Sequence, residues 1–300
     1  MTEDPATAAG LEVEKRHPLI GAEVRGIDLS EPLSDSRRAA LNALWLEHLL
    51  LIFPDSPIDD DAHIAFGRQF GELELHPSLA HRGSAHPEIY RVSNVDETGR
   101  LIPPDDTDWH YLSQSWRWHT DSSFRAVPSK GSILHGIEIT NEGGDTFFAN
   151  MVAAYDALSP AMQARIADLW VVHDHDFILS LSPALAARRD KGRYDPLPPV
   201  RHPLVRRHPE TGRKSLFLSP HTMAGVDGMP GDEGRALLDD LIAHATRQRF
   251  VYRHVWSPHD VIMWDNRCTM HSVAPFDNAR IRRIMHRVTL VGEEAPIPVG

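Results

Sequence analysis

The chain has 300 residues, 41% of them hydrophobic, so it can bury a sizeable core, and its longest apolar run, "LLLIF", is far too short to span a bilayer. Acidic residues outnumber basic ones by 42 to 31 and the net charge is −11, which argues against a nucleic-acid-binding protein, because such proteins present a basic face. The one cysteine excludes an internal disulfide and the N-terminus lacks the apolar stretch of a secretion signal, so we expect a cytoplasmic protein with no membrane partner.

Two capped helices and three short strands are predicted in the N-terminal third. Residues 1–10 are expected to be disordered, and "LEVEK" at 11–15 alternates as an edge strand does. The segment "LSDSRRAALNALWLEH" offers Ser34, Asp35 and Ser36 as possible caps before apolar residues at helical spacing. A buried strand "LLLIFP", a second capped helix "IDDDAHIAFGRQFGEL" and a strand "EIYRVSNV" follow.

A long polar segment rich in proline and tryptophan, "DETGRLIPPDDTDWHYLSQSWR", occupies residues 96–117. Loops of this length in compact domains are usually functional, and many of them are active-site lids. We therefore predict a lid-like loop here, which leads directly into "WHTDSSF".

The remainder of the chain is predicted to be mainly strands with inserted helices. A helical segment, "MVAAYDALSPAMQARIADLW", has a break at Ser159-Pro160, and a hairpin is predicted around "PETG". The other predicted elements are the strands "SILHGIEI", "GGDTFFAN" and "VVHDHDF", the helix "PGDEGRALLDDLIAHATR", and four closing strands, "RFVYRHVW", "DVIMWDN", "TMHSV" and "RRIMHRVTLVG". Because there is no repeat, linker or composition break, residues 11–300 are predicted to form one domain, a β barrel or sandwich with flanking helices.

The heptapeptide "WHTDSSF" places His119 and Asp121 two positions apart in apolar company. On a strand the two side chains would share one face, and His271 in "TMHSV" could supply a third ligand. Two histidines and one carboxylate are the ligand set of non-haem Fe(II) oxygenases, in which open positions remain for a co-substrate and O2. The pair alone is also compatible with a solvated or hydrogen-bonded His–Asp contact.

Arg283 and Arg287 lie shortly after His271 and would share one face of a strand. An arginine inside a barrel needs an anion, and its planar guanidinium suits a carboxylate. Thr146 in "GGDTFFAN" offers a hydroxyl. The alternatives are arginines that face solvent and a threonine that merely suits a strand.

Seven segments in this order resemble the taurine / phenoxyacetate-herbicide dioxygenase family, whose members depend on Fe(II) and 2-oxoglutarate. The segments are "LLIFP", "FGRQFGELELHP", "WHTDSSF", "GGDTFFANMVAAYDAL", "GRKSLFLS", "WDNRCTMHSV" and "RRIMHRVTL". "HTDSSF" and "GRKSLFLS" are more similar to the phenoxyacetate-degrading branch. The resemblance implies a double-stranded β-helix, also called a jelly roll.

The resemblance also implies roles for the residues that match the family's motifs. His119, Asp121 and His271 would hold the iron and thus form the catalytic centre, while Arg283 and Thr146 would hold the distal carboxylate of 2-oxoglutarate. Oxidative decarboxylation of 2-oxoglutarate by O2 would yield succinate and CO2 and would hydroxylate a second substrate. Hydroxylation beside an ether, sulfate or sulfonate group would lead to cleavage of a C–O or C–S bond.

For the second substrate, the resemblance implies a small anionic organic molecule, such as an aryloxyalkanoate, an alkyl sulfate or a sulfonate. Arg287 would face its acidic group or the proximal end of 2-oxoglutarate, and His76 matches a position that touches the substrate. Leu79 departs from the aromatic residue of the taurine-specific pattern, which argues against taurine itself. Proteins of such folds are often homo-oligomers.

We further hypothesise that Trp109, Leu112 and Trp116, in the predicted lid, shape an apolar pocket beside the anion-binding arginine. The alternative is that these side chains only anchor the loop on the core.

Two competing functions remain open at this point. A zinc hydrolase could use the same His/Asp/His set, with "HDHD" at 173–176 as a further metal pair, but it has no use for a dicarboxylate clamp. A non-catalytic jelly-roll binding protein is the other alternative. Cys268 lies three residues before His271, on the opposite strand face, and is interpreted as a packing residue.

Overall fold

The computed structural model describes residues 9–75, 83, 85–181, 185 and 197–299. In its first half the elements are β1 (Glu12–Lys15), β2 (Ala22–Arg25), α1 (Asp35–His48), β3 (Leu50–Phe53), α2 (Asp60–Arg68), β4 (Tyr90–Ser93), α3 (Thr107–Leu112), β5 (Gly131–Glu138), β6 (Thr146–Asn150), α4 (Met151–Asp156) and α5 (Pro160–Ile166).

The second half contains fewer helices. Its elements are β7 (Trp170–His173), α6 (Phe177–Ser180), β8 (Val200–Pro203), β9 (Val205–Arg207), β10 (Lys214–Leu216), β11 (Met223–Val226), α7 (Gly231–Ala245), β12 (Val251–His254), β13 (Val261–Asp265), β14 (Thr269–Val273), β15 (Ile284–Leu290) and β16 (Ile297–Pro298). The prediction of a mainly β protein with flanking helices is confirmed.

One large sheet and three small sheets carry the fold. The large sheet has the strand order β1-β2-β3-β13-β5-β15-β4, and the small ones have the orders β12-β6-β14, β11-β7-β8 and β10-β9-β16. Apart from the parallel pair β2–β3, the paired strands are antiparallel. The predicted hairpin around "PETG" is confirmed as β9 and β10, in which Ser215 is opposite Arg206.

The large sheet separates two hydrophobic layers because successive side chains on a strand point to opposite faces. Its helix-facing side chains pack with α1 and α2, and they include Leu51, Phe53, Ile133, Val261, Met263, Val288 and Leu290. The alternate positions pack with Phe148 of β6, and they include Leu50, Ile52, Leu134, Ile262, Trp264 and Met285. The second layer therefore lies between the large sheet and the β12-β6-β14 sheet.

Helix α1 shows how the sequence specifies the helical cover. Ser34 accepts a hydrogen bond from the backbone N–H of Arg37, so it is the cap among the three predicted candidates. The helix ends at His48 and is followed by its C-cap residue Leu49, which adopts a left-handed conformation with φ of 64°. Its buried face contains the predicted residues Ala40, Leu41, Leu44, Trp45 and His48. Each large apolar side chain buried here contributes about 1.5–3 kcal/mol.

Two features differ from the prediction. The second half of the predicted loop 96–117 is helical, since α3 is followed by a 3-10 turn at Ser113–Trp116. Strands β2, β8, β11 and β16 were not predicted, because two to four residues are too few to show a clear alternation. The break at Ser159-Pro160 is confirmed, with Ser159 capping α5. No helix in the described ranges combines the length and the apolar character needed to cross a membrane.

Because several histidines are buried, we predict that the metal-free protein is less stable in acid than at neutral pH. Burial lowers the pKa of His63 to about 3 and the pKa of His135 and His202 to about 4. Because these values lie below the ordinary 6.5, the full stability is present above pH 6.5 and is lost as the pH falls towards 4. Each group contributes up to about 1.4 kcal/mol per pH unit in that window.

We expect urea unfolding of the metal-free protein to give a clearly lower free energy at pH 5.0 than at pH 7.5. His135→Gln should make that difference smaller by about the amount that one titrating histidine contributes. Equal free energies of unfolding at the two pH values would contradict this explanation.

Candidate active site

His119, Asp121 and His271 are buried together, and their candidate ligand atoms all lie within 4.8 Å of one another. Nε2 of His119 is 4.0 Å from Oδ1 of Asp121, and Nε2 of His271 is 3.9 Å from Oδ2. The three residues that the sequence suggested as metal ligands are thus adjacent in the fold. Two imidazoles and one carboxylate on one wall of a cavity suit a divalent transition metal.

The backbone explains why residues so distant in sequence meet. His119 and His271 form an isolated antiparallel bridge, in which each backbone N–H donates to the other's carbonyl at 2.9 and 2.8 Å. Asp121 follows in a turn, and Ser122 has a φ of 53°. The expectation that His119 and Asp121 lie on a regular strand was therefore wrong. A single bridge and the turn after it bring them together.

The tautomer of His119 is fixed by its surroundings. Its Nδ1 lies 2.9 Å from the carbonyl of Arg117, which can only accept, so Nδ1 carries the proton and Nε2 keeps a lone pair. Burial lowers the pKa of His119 and holds the pKa of His271 well below its ordinary value. Both imidazoles are therefore neutral at neutral pH and able to bind a metal.

The carboxylate of Asp121 is held from two sides. Nη1 of Arg287 donates to Oδ1 at 2.6 Å, and the hydroxyl of Ser132 donates to Oδ2 at 2.8 Å. Burial alone would raise the pKa of Asp121, but the positive charge of Arg287 and the hydrogen bond from Ser132 hold this pKa well below its ordinary range. The group is therefore an anion, as a carboxyl group must be to bind a metal.

Arg283 is 4% exposed and lines the same cavity as the three candidate ligands. Its Nη2 donates to the carbonyl of Gly144 at 3.2 Å, and no described carboxylate forms an ion pair with it. Burial lowers the pKa of Arg283 to about 10. Gly144 has a φ of 73°, and a Cβ there would lie 2.5 Å from Cγ2 of Thr140 and 3.3 Å from two Arg283 side-chain atoms, so glycine is needed beside this guanidinium.

Thr146 lines the cavity too, and its hydroxyl accepts a hydrogen bond from the indole N–H of Trp256 at 2.9 Å. An indole nitrogen can only donate, so the hydroxyl hydrogen of Thr146 remains available for an anion in the cavity. Arg283 and Arg287 were predicted to share one strand face, but Arg283 lies one residue before β15; both nevertheless line the cavity, at 4% and 8% exposure. Arg287 is the one in contact with Asp121, and its guanidinium lies 4.8 Å from the ring centre of Tyr90.

The three residues proposed to shape an apolar pocket differ in position. Leu112 lines the cavity, together with Tyr111, Phe124 and Ile178. Trp109 and Trp116 are not in the cavity wall and instead pack with Phe276 at ring separations of 5.8 and 6.2 Å. These two tryptophans therefore pack behind Leu112 and do not contact the cavity. His76 and Leu79 lie outside the described residues.

Several site residues were not found from the sequence. His221 stacks on His119 at 4.5 Å with its Nε2 2.5 Å from the carbonyl of Gln114, and His175 also lines the cavity. "SPHTM" and "HDHD" carry no spacing that signals these positions, although His175 belongs to the histidine-rich segment noted above. Ser132 was missed because nothing in "SILHGIEI" distinguishes it from an ordinary strand residue.

A second group of possible metal ligands, His208, Asp265 and Cys268, is a buried ion-pair network. Both carboxylate oxygens of Asp265 accept from Arg267, at 2.9 and 2.7 Å, and His208 lies 3.0 Å from Oδ2. Burial raises the pKa of Cys268 well above its ordinary value, so its thiol stays protonated. The interpretation of Cys268 as a packing residue agrees with this arrangement.

Comparisons with known proteins agree with this geometry. The chain matches the family model "Taurine catabolism dioxygenase TauD, TfdA family" over residues 12–289. It is 36% identical over 280 residues to the alpha-ketoglutarate-dependent 2,4-dichlorophenoxyacetate dioxygenase of Cupriavidus pinatubonensis, covering 91% of this chain and 96% of the relative. It is also 36% identical over 282 residues to the (S)-phenoxypropionate/alpha-ketoglutarate-dioxygenase of Sphingobium herbicidovorans, covering 92% and 93%.

Among solved structures, AAD-2 in complex with Mn(II) and N-oxalylglycine matches with a TM-score of 0.83 and 33% identity, covering 96% of this chain and 98% of that one. The likeness to the phenoxyacetate-degrading branch is thereby confirmed, and the zinc-hydrolase alternative finds no support. The chain therefore belongs to the taurine catabolism dioxygenase TauD, TfdA family, and it is a 2-oxoglutarate-dependent dioxygenase with Fe(II) as its metal.

Proposed function

We propose that this enzyme hydroxylates a small anionic organic substrate at an iron held by His119, Asp121 and His271. The observation that carries the proposal is that these residues share one cavity with Arg283, a buried cation that has no ion-pair partner among the described carboxylates. Such a cation is costly to bury unless an anion joins it. A ligand with a carboxylate at each end could meet both the metal and the arginine.

The five residues proposed for metal and 2-oxoglutarate have distinct tasks. The metal ligands present two neutral imidazoles and one anion, while Arg283 and the hydroxyl of Thr146 hold the distal carboxylate of 2-oxoglutarate. When bound, Fe(II) couples the oxidative decarboxylation of 2-oxoglutarate by O2 to hydroxylation of a C–H bond. The protein's part is to position both substrates and to exclude water.

For the primary substrate we propose a carboxylate, sulfate or sulfonate with an apolar body. The relatives named above act on 2,4-dichlorophenoxyacetate and (S)-phenoxypropionate, both of which combine an acid with an aromatic group. Arg287 supplies positive charge beside the metal site, and Leu112, Phe124 and Ile178 supply apolar wall. His76 is proposed to contact the substrate as well.

We also propose that residues 11–300 form one domain, with residues 96–117 as a lid over the cavity. The large sheet and the β12-β6-β14 sheet would be the two faces of a double-stranded β-helix. The hydrophobic layer shared by the two sheets, with Phe148 opposite Trp264 at a ring separation of 5.5 Å, supports this assignment.

The proposed function is tested by incubating the enzyme with Fe(II), 2-oxoglutarate, O2 and a panel of anionic candidates. The panel should include aryloxyalkanoates, alkyl sulfates and sulfonates, with uncharged analogues of the same shape as matched controls. We expect one class of anion to stimulate succinate release in proportion to its own consumption. Equal stimulation by the uncharged analogues would contradict an anion-binding site.

A further inference from the structure

The carboxylate of Asp121 stands at the end of a buried hydrogen-bond chain that starts at Trp264. The indole N–H of Trp264 donates to Oδ1 of Asn266 at 2.9 Å, and Nδ2 of Asn266 donates to the hydroxyl of Ser132 at 3.1 Å. Ser132 in turn donates to Oδ2 of Asp121 at 2.8 Å. Trp264, Asn266 and Ser132 are at most 1% exposed, so water does not compete for these bonds.

The direction of every bond in this chain is set by the indole. Because an indole nitrogen can only donate, the amide oxygen of Asn266 must face Trp264 and its NH2 group must face Ser132. Ser132 then accepts from Asn266, so its single hydrogen is left to point at Asp121. The chain of hydrogen bonds therefore ends in a hydroxyl donor that points at the ionised carboxylate of Asp121.

Strand pairing holds this chain of hydrogen bonds in place. Ser132 of β5 is directly opposite Trp264 of β13 in the antiparallel register, and the Trp264 ring lies 4.9 Å from the ring of His271. Asn266 is also anchored by Ser129, whose hydroxyl lies 3.1 Å from its Nδ2. Strand pairing therefore fixes Trp264 and Ser132, and the contact with Ser129 fixes Asn266.

We propose that Ser132, oriented by Asn266 and Trp264, is a positioning residue that fixes the Asp121 carboxylate for metal binding. One hydrogen bond on Oδ2 from Ser132 and one on Oδ1 from Arg287 stop rotation of the carboxylate. Of the same two oxygens, Oδ1 lies 4.0 Å from Nε2 of His119 and Oδ2 lies 3.9 Å from Nε2 of His271. The inference rests on the proposed function, since it assigns Asp121 to the metal.

Mn²⁺ titration of the metal-free protein, followed by the electron paramagnetic resonance signal of the free ion, tests this role. We expect Ser132→Ala to weaken Mn²⁺ binding by about 10–100-fold, the usual effect of losing a hydrogen bond to a metal ligand. Trp264→Phe keeps a large ring but removes the N–H, and we expect a smaller loss in the same direction.

Ser215→Ala is the matched control. Ser215 is fully buried and its hydroxyl donates to the carbonyl of Arg267 at 3.2 Å, away from Asp121. It should lose comparable folding stability but keep wild-type Mn²⁺ affinity. If Ser132→Ala does not fold, Trp264→Phe alone decides the result.

The outcomes separate the two levels of the proposal. If the wild type binds Mn²⁺, and His271→Gln does not, the metal site is supported. If Ser132→Ala and Trp264→Phe then bind Mn²⁺ as tightly as the wild type, the positioning role is overturned while the metal site stands. If the wild type itself fails to bind Mn²⁺, the proposed function fails first.

Discussion

Asp121→Asn is expected to abolish turnover and also to destabilise the metal-free fold, whereas His271→Gln should abolish turnover with little loss of stability. Both changes remove a proposed metal ligand, so both should cost more than the roughly 10–100-fold typical of residues behind the ligands. Only the first removes the negative charge opposite Arg287, whose Nη1 lies 2.6 Å from Oδ1 of Asp121. Leaving one partner of a buried ion pair uncompensated costs about 3–5 kcal/mol.

Urea unfolding of the two metal-free variants, together with 2-oxoglutarate turnover in the presence of Fe(II), measures both effects. His271→Gln exchanges one neutral polar side chain for another, and we expect a cost below about 1.5 kcal/mol. Asp121→Asn combined with Arg287→Met should regain stability but not activity, because the unpaired charge is removed together with its partner. Equal destabilisation by Asp121→Asn and His271→Gln would show that the ion pair with Arg287 does not stabilise the fold.

Sequence patterns predicted most elements and the residues of the metal site, but not the way in which these residues meet. Helix α1 followed from its cap and apolar spacing, both of which are local. His119 and Asp121 were placed on a strand by their spacing, yet a turn positions Asp121. The alternation argument thus led to the correct neighbours for an incorrect reason.

The partners of Asp121 could not be predicted because they depend on strand register. Ser132 faces the site since it lies opposite Trp264, and no local pattern encodes that pairing. The same holds for His221, whose ring stacks on His119 from a different segment. Burial of Arg283 also became visible only in the fold, since its neighbour Arg282 is equally basic in sequence but is 40% exposed and pairs with Glu138.

Arg283→Gln is expected to raise the KM for 2-oxoglutarate by about 10–100-fold, because a charge-assisted hydrogen bond to a carboxylate contributes about 1.5–3 kcal/mol. Arg283→Lys should rescue it only in part, since an ammonium group cannot form the paired bonds of a guanidinium. Arg283→Gln should also leave the ligand-free protein equally stable or more stable by up to about 2 kcal/mol, because burial of this charge disfavours the native state. The charge of Arg283 thus favours 2-oxoglutarate binding but disfavours folding of the ligand-free protein.

Arg282→Gln is the control for this prediction, because it removes the same charge from the adjacent residue, outside the cavity wall. It should leave the KM for 2-oxoglutarate unchanged. With Mn²⁺ present, 2-oxoglutarate at 100 times its Kd should stabilise the wild type and Arg282→Gln by about 2.7 kcal/mol and stabilise Arg283→Gln far less at that concentration. An equal gain in all three proteins would mean that the buried guanidinium does not hold the 2-oxoglutarate carboxylate. The carboxylate would then need another cation, and among the described residues of the cavity wall the other guanidinium is that of Arg287, which is already bonded to Asp121.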